Sequence, residues 1–192
     1  KLKRSTTIPM DNIYLSVHEP ELVQIGKENG INIFNRSQES AVWDGGAGTH
    51  ITGMYEWWNK LPYKYAILIN ACAPMMTIKT IDNFYESYLN SQSDGMFAVI
   101  KKKNYFWNKK GKLIVPWPQG EPCMNTKAVD ETLEAAHCLY AGKMSLIGQG
   151  VWMGDFNNGE IDLVTMPEEE TFDIDYEWEF SLYEKLYEAL VK

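Results

Sequence analysis

Three cysteines in 192 residues, Cys72, Cys123 and Cys138, are too few and of the wrong parity for a disulfide framework. No C-x-x-C pair occurs among them, so a cysteine-built zinc site is excluded as well. No stretch approaches the ~20 consecutive apolar residues of a membrane span. The first residues, Lys1-Leu-Lys-Arg4, lack the apolar core of a secretion signal. These absences point to reduced thiols, a cytoplasmic setting and no membrane partner. Positive charge is scarce too: 18 Lys and Arg stand against 26 Asp and Glu, a net charge of −8. Phosphate-backbone binding needs clustered cations, and Lys101-Lys102-Lys103 is too short a cluster, so nucleic acid is excluded as the main partner. Internal repeats and low-complexity segments are also lacking.

What is present is an ordinary globular composition, 45 % hydrophobic and 23 % charged, at a length suited to one domain over residues 1–192. The acidity is concentrated at one end. Residues 1–154 hold 16 Lys and Arg against 14 Asp and Glu, or +2, whereas residues 155–192 hold 2 against 12, or −10.

Strand and helix patterns alternate along the chain. Asn12 to Val17 is a short β-rich run, and Glu19 to Asn29 reads as a helix closed by Gly30. Ile31 to Phe34 restarts as a strand, followed by a polar loop from Asn35 to Asp44 and a glycine-rich stretch, Gly45-Gly-Ala-Gly48. A helix is expected from Thr49 to Lys60, where Trp57 and Trp58 cannot both face one way. Tyr65 to Ile69 is continuously apolar, as expected of a central strand buried on both faces. Thr77 is placed to cap a helix from Ile78 to Leu89, and Gly95 to Ile100 reads as the next strand. From Lys101 to Asn125, aromatic, lysine and turn residues suggest an excursion from the sheet. A helix from Ala128 to Leu139 and strands near Val151 and at Ile161 to Val164 follow, and Phe180 to Val191 is an amphipathic last helix. The alternation predicts a three-layer α/β/α Rossmann-like fold with a mostly parallel mixed sheet and a small insertion.

The strongest local chemical signal is Phe172-Asp-Ile-Asp175. In an extended segment, residues two apart share a face, so Asp173 and Asp175 point together while Phe172 and Ile174 face the core. Two carboxylates on one face form an oxygen-only site that suits Mg²⁺, with substrate phosphates supplying further ligands. The plainer reading leaves Asp173 solvated and uses Asp175 to cap the last helix. The rest of the acidic block, Glu168 to Glu179, reads as a solvated turn and helix start. Gly46-Ala-Gly48-Thr-His-Ile51 begins like a dinucleotide loop but ends in Ile51 and follows no strand. A cysteine nucleophile at Cys72 or Cys138 would need a histidine partner, and His18, His50 and His137 read as structural or surface residues.

Other segments carry a resemblance. Leu68-Ile-Asn-Ala-Cys-Ala-Pro-Met-Met76 resembles the L-[LQ]-Q-x-[TS]-S-P-L-R motif of the acylneuraminate cytidylyltransferases, the CMP-sialic acid synthetase family. Ile13-Tyr-Leu-Ser16 resembles that family's V-[IV]-V-S strand, Phe34-Asn-Arg36 its x-x-R-P element, and Asp44 with the residues after it the D-x-[AT]-x-x segment. Asp94 to Val99 is similar to D-S-V-F-S-V, and Phe172 to Phe180 to the closing I-D-I-D-T-x-x-D-[FL] motif. The matches keep their order across residues 12–190.

The resemblance implies a glycosyltransferase-A-like nucleotidyltransferase that moves CMP from CTP to a 3-deoxy-2-keto sugar acid such as a sialic acid, releasing pyrophosphate. It implies Mg²⁺ held by Asp173 and Asp175, Arg36 on the cytidine nucleotide, and Asn70, Cys72 and Ala73 lining the substrate pocket. It also implies a homodimer, with residues 101–152 supplying dimer or substrate contacts. The sequence departs from the family in four places, one of them around Val17-His18, where the acidic residue that usually follows V-S-T is replaced. Met76 stands where the motif has arginine, Ala73 where it has serine, and the basic, glycine-rich triphosphate loop is not found in the 192 residues. Loss of catalysis with retained binding, or a different sugar-nucleotide pyrophosphorylase, are the alternatives these departures leave open.

Overall fold

A computed structural model of the chain describes residues 2–42, 51–147, 149 and 159–191. Asp44, the glycine-rich stretch, Thr49, His50 and the expected strand near Val151 lie outside the described residues.

The first unit is β1 (Tyr14–Val17), α1 (Pro20–Glu28) and β2 (Asn32–Asn35), with β1 and β2 paired in parallel. Pro20 opens the helix at a position whose N–H would have no partner, and Gly30 closes the unit at φ 64°, a conformation that costs glycine little. The helix lies close on its strands. A Cβ added at Gly26 would sit 2.2 Å from Ile33 Cδ1, so a larger residue here would require the Ile33 side chain to shift. The polar stretch after Asn35 is not all loop: Ser37 accepts from the Ser40 N–H and starts α2 (Gln38–Ala41). The long helix expected up to Lys60 is replaced, in its described part, by α3 (Ile51–Met54) and a 3₁₀ turn at Glu56–Asn59. Burial explains the break. Trp57 is buried against Met144 and Ile147, and Trp58, half-buried against the same cluster, also lines a cleft of about 410 Å³ with Tyr63, Tyr65 and Met144.

The second sheet contains β3 (Tyr65–Ile69), β4 (Gly95–Lys102), β5 (Thr132–Lys143) and β6 (Ile161–Thr165), in the order β3-β5-β4-β6. Strands β3, β4 and β6 run one way, and β5 runs against them. Two sequence expectations are corrected here. Among the described residues strand β3 is not central: it pairs with β5 alone there and is half-buried, with Tyr65 56 % exposed. The segment expected as a helix from Ala128 to Leu139 is mostly β5: Thr132 to Ala135 pair with β4 and Leu139 with β3, pairing that outweighs the helix propensity of Leu-Glu-Ala-Ala.

Helix α4 (Ile78–Asn90) begins where Thr77 caps it and packs Ile81, Phe84 and Tyr88 against Met96, Ala98 and Ile100 of β4 and Cys138 and Leu139 of β5. The opposite face of the sheet covers the Trp57 cluster through Ala66 and Leu68, completing a mixed, layered α/β architecture. The chain's start is tied down as well. Ser5 and Thr7 hydroxyls donate to Asp82 on α4 at 2.5 and 2.7 Å. Between β4 and β5, residues 103–131 leave the sheet and build a small core of their own from Tyr105, Val115 and Val129. Helix α5 (Glu177–Val191) starts earlier than the apolar pattern implies, and its Phe180 and Leu182 are exposed rather than buried.

Candidate functional site

The site is organised by the turn that follows β3. Asn70 continues the pairing one step past the strand, donating its N–H to the Cys138 carbonyl at 2.9 Å. Its side-chain oxygen then accepts from the Cys72 N–H at 2.9 Å, an Asx turn that bends the chain away from the sheet. Pro74 and the Thr77 cap lead into α4. The sequence-local chemistry of Asn, Pro and Thr therefore fixes this turn at the carboxyl end of β3, where open α/β sheets place their ligands.

The acidic segment is laid across this turn by three contacts. Ile174 N–H donates to the Cys72 carbonyl at 3.0 Å. Glu170 accepts from the Thr77 N–H at 2.7 Å and from its hydroxyl at 3.2 Å, placing a carboxylate at the start of α4. Asn70 Nδ2 reaches Asp173 Oδ1 at 3.5 Å and the His137 carbonyl at 3.4 Å, two long bonds from one amide. Asp173 and Asp175 flank Ile174, and the charges of both act on the Cys72 thiol. Ile174 itself lines a cleft of about 540 Å³ with Ile69, Ala73, Met76 and Tyr183.

The capping role open to Asp175 is taken by another residue. Glu179 Oε2 accepts from the N–H groups of Asp175 and Tyr176 at 2.8 and 2.9 Å, which closes the start of α5. Phe172 does not face the core as expected. It is 37 % exposed and stacks on Tyr183 of α5, with ring centroids 5.4 Å apart. The acidic block is also less solvated than its composition suggests, since Glu168 pairs with Lys102 and Glu170 caps α4.

Electrostatics locate the two aspartates relative to Cys72. The Cys72 side chain is at the surface, yet its thiol is held above the ordinary cysteine value, first by partial desolvation and then by the charges of Asp173 and Asp175. A raised thiol is a poor nucleophile, which argues against cysteine catalysis here. Cys138 is excluded by position: it is 1 % exposed, 3.3 Å from Met166 Sδ, and burial pushes its thiol up to about 11.

The structure thus brings Asn70, Cys72, Asp173 and Asp175 together, with Ala73 buried beneath them at the cleft wall. Arg36 stands apart at the end of β2. Its Nε donates to Ser40 Oγ at 3.1 Å, and its Nη2 donates to the Ser40 carbonyl. No hydrogen bond among the described residues joins it to the Asn70 group. Two participants escaped the sequence. Glu170 acts across 93 residues, with no local signal, and His137 is hidden in a run that reads as helix.

As a metal site the pair is incomplete by itself: among the described residues no group of three His, Cys, Asp or Glu can hold a cation. Two carboxylates at the open end of a sheet fit a hard cation whose other oxygens come from a substrate, the usual mode of Mg²⁺ with phosphates.

No family model and no curated protein matches the sequence. Solved structures do. CMP:2-keto-3-deoxy-manno-octonic acid synthetase complexed with CTP matches at a TM-score of 0.64 and 9 % identity, over 97 % of this chain and 84 % of that one. 4-Diphosphocytidyl-2C-methyl-D-erythritol synthase from Anaerococcus prevotii matches at 0.61 and 12 % identity, over 97 % and 82 %. The chain has the nucleotidyltransferase fold. At these identities the likeness is one of fold. No helix among the described residues is long and apolar enough to cross a membrane.

The two aspartates bear on Cys72 chemistry in a measurable way. Removing either charge, in Asp173→Asn or Asp175→Asn, lowers the Cys72 thiol toward its ordinary value and raises its thiolate fraction at neutral pH. Site-resolved mass spectrometry of iodoacetamide labelling reads this as faster Cys72 alkylation, by up to about tenfold for one full pKa unit. Cys123, exposed and remote in sequence, is the internal control. An unchanged Cys72 rate in both variants contradicts the placement of the pair.

Proposed function

We propose that this protein transfers CMP from CTP to a 3-deoxy-2-keto sugar acid, with a sialic acid or related nonulosonate as acceptor. The observation that carries the reading is the junction at Asn70, where one amide joins the acidic pair segment to the carboxyl end of β3 in a fold shared with CTP-using synthetases. In this reaction the acceptor's anomeric oxygen forms a bond to the α-phosphorus of CTP. The bond from that phosphorus to the bridging oxygen breaks, and pyrophosphate departs while the hydroxyl proton passes to solvent.

Little covalent work falls to the protein, so catalysis rests on positioning and on offsetting phosphate charge. Asp173 and Asp175 would hold Mg²⁺. When bound, the ion supplies positive charge beside the α-phosphate and its leaving group. Asn70 fixes the Asp173 segment over the turn, and Glu170 holds the same segment against α4. Arg36 is assigned to the cytidine nucleotide, and Cys72 and Ala73 to the pocket wall. The exposed aromatic excursion, with Trp107 49 %, Ile114 64 % and Trp117 46 % exposed, is assigned as the dimer contact within residues 101–152.

One observation favours a second reading. Arg36, the cation assigned to the nucleotide, is tied to Ser40 by two of its donors, so its positive charge is held apart from the acidic pair. A domain that binds the nucleotide without turnover would need less charge than one that stabilises a transition state.

Pyrophosphate release with CTP, Mg²⁺ and a panel of sugar acids separates the readings. Turnover is expected in the unaltered protein, with a loss of about 10²-fold or more in kcat for Asp173→Ala and Asp175→Ala. CTP binding with no release for any sugar acid contradicts the transferase and favours the binding domain. Sedimentation of the same preparation is expected to give a dimer that Trp117→Glu shifts toward monomer. A monomer at all concentrations removes the dimer assignment.

A further inference from the structure

His137 is the only non-glycine among the described residues with a positive φ, 53°. A side chain in that region crowds its own backbone, and such strain persists where surrounding contacts hold it. The contacts here are specific. Tyr140 of β5 lies opposite Phe97 and Ala135 lies opposite Val99, so residues 136–139 face Ala98 alone in a wide bulge. On its other edge β5 keeps register, Leu139 opposite Ile69, so the bulge sits at the carboxyl end of β3. The His137 carbonyl accepts from Asn70 Nδ2, the same amide that reaches Asp173.

The ring is fixed as well as the backbone. Its Nδ1 lies 2.9 Å from the Tyr140 hydroxyl, and Tyr140 is buried with its ring edge-on to Phe97. Burial pushes the Tyr140 phenol up to about 12, so it stays an O–H at neutral pH and can donate to Nδ1. In the tautomer where Tyr140 donates, the ring proton sits on Nε2 of this exposed histidine. Glycine would occupy this position without strain, so the bulge holds an imidazole donor at the rim of the acidic site at some cost.

We propose that His137 is the acceptor-side contact of the site, donating from Nε2 to the carboxylate of the sugar acid. This rests on the cytidylyl-transfer reading above. The sheet order supports the acceptor over the nucleotide. Arg36, assigned to the nucleotide, ends β2 in the other sheet, whereas His137 lies on β5, with β3 and the Asn70–Asp173 junction at its side. A substrate carboxylate near Asp173 and Asp175 is repelled by both, and a hydrogen-bond donor opposite them offsets that repulsion.

The test uses the full chain with CTP, Mg²⁺ and either N-acetylneuraminate or 2-keto-3-deoxy-manno-octonate. In His137→Gly the acceptor KM is expected to rise about tenfold or more, with the CTP KM within about twofold. Its Tm should equal or exceed that of the unaltered protein, because glycine relieves the strained φ. His137→Asn, which tolerates the left-handed backbone and keeps a donor, should recover part of the acceptor affinity. In labelled protein the His137 ring resonances, identified by their absence in His137→Gly, should shift saturably as the sugar acid is added.

Turnover with an unchanged acceptor KM in His137→Gly, and a ring that does not respond, overturns the assignment and leaves the transferase reading standing. Equal rises in both KM values with a lowered Tm overturn it in favour of a structural residue. Absence of turnover in the unaltered protein overturns the transferase reading instead. In that case a saturable ring shift with the sugar acid still supports the contact, and an unresponsive ring removes both.

Discussion

The four-stranded sheet depends on β5 pairing along both of its edges. It runs antiparallel between β3 and β4, so without it β3 would have no strand partner and the β4–β6 pair would stand alone. The same strand supplies Cys138 and Leu139 to the main core and, through its bulge, the His137 carbonyl and the Cys138 carbonyl to the turn after β3. Core and site are therefore built from one stretch of chain. The bulge takes residues 136–139 off the β4 ladder, while the β3 edge of β5 keeps its pairing through to Asn70.

Asn70 converts that geometry into a site. Its side chain contacts Cys72, His137 and Asp173 and its N–H donates to Cys138, partners in three separate segments of the chain. Two of these bonds are long, at 3.4 and 3.5 Å, so each is individually weak and the arrangement leans on the shorter Ile174 and Glu170 contacts to hold the acidic segment. Such a division suits a site where the protein must place two carboxylates without neutralising them. The backbone and Glu170 fix the segment, and the two aspartates keep acceptor capacity for a cation.

Much of this was legible in the sequence where the signal is local. Gly30 after an amphipathic run and Thr77 before one each announce their conformation through chemistry within a few residues. What escaped depends on distant partners. Ala128 to Leu139 reads as helix because its alanines and leucines favour one, and pairing with β4, and with β3 at Leu139, makes most of it a strand. Tyr65 to Ile69 reads as central because it is apolar throughout, yet its exposure follows from its place in the sheet order. His137 and Glu170 were invisible for the same reason, since a strained φ and a cap contributed across 93 residues leave no trace in local pattern.

The central claim is that a divalent cation and a cytidine nucleotide meet at the Asn70 junction. Paramagnetic broadening tests it directly, with Mn²⁺ replacing Mg²⁺ at substoichiometric levels in labelled protein saturated with CTP. The account predicts that the Asn70 side-chain amide and the backbone amides of Cys72 and Ile174 broaden first, and that Asp173→Asn abolishes the effect. Broadening spread over the exposed Glu168 to Glu170 stretch, or unchanged by Asp173→Asn, would contradict it.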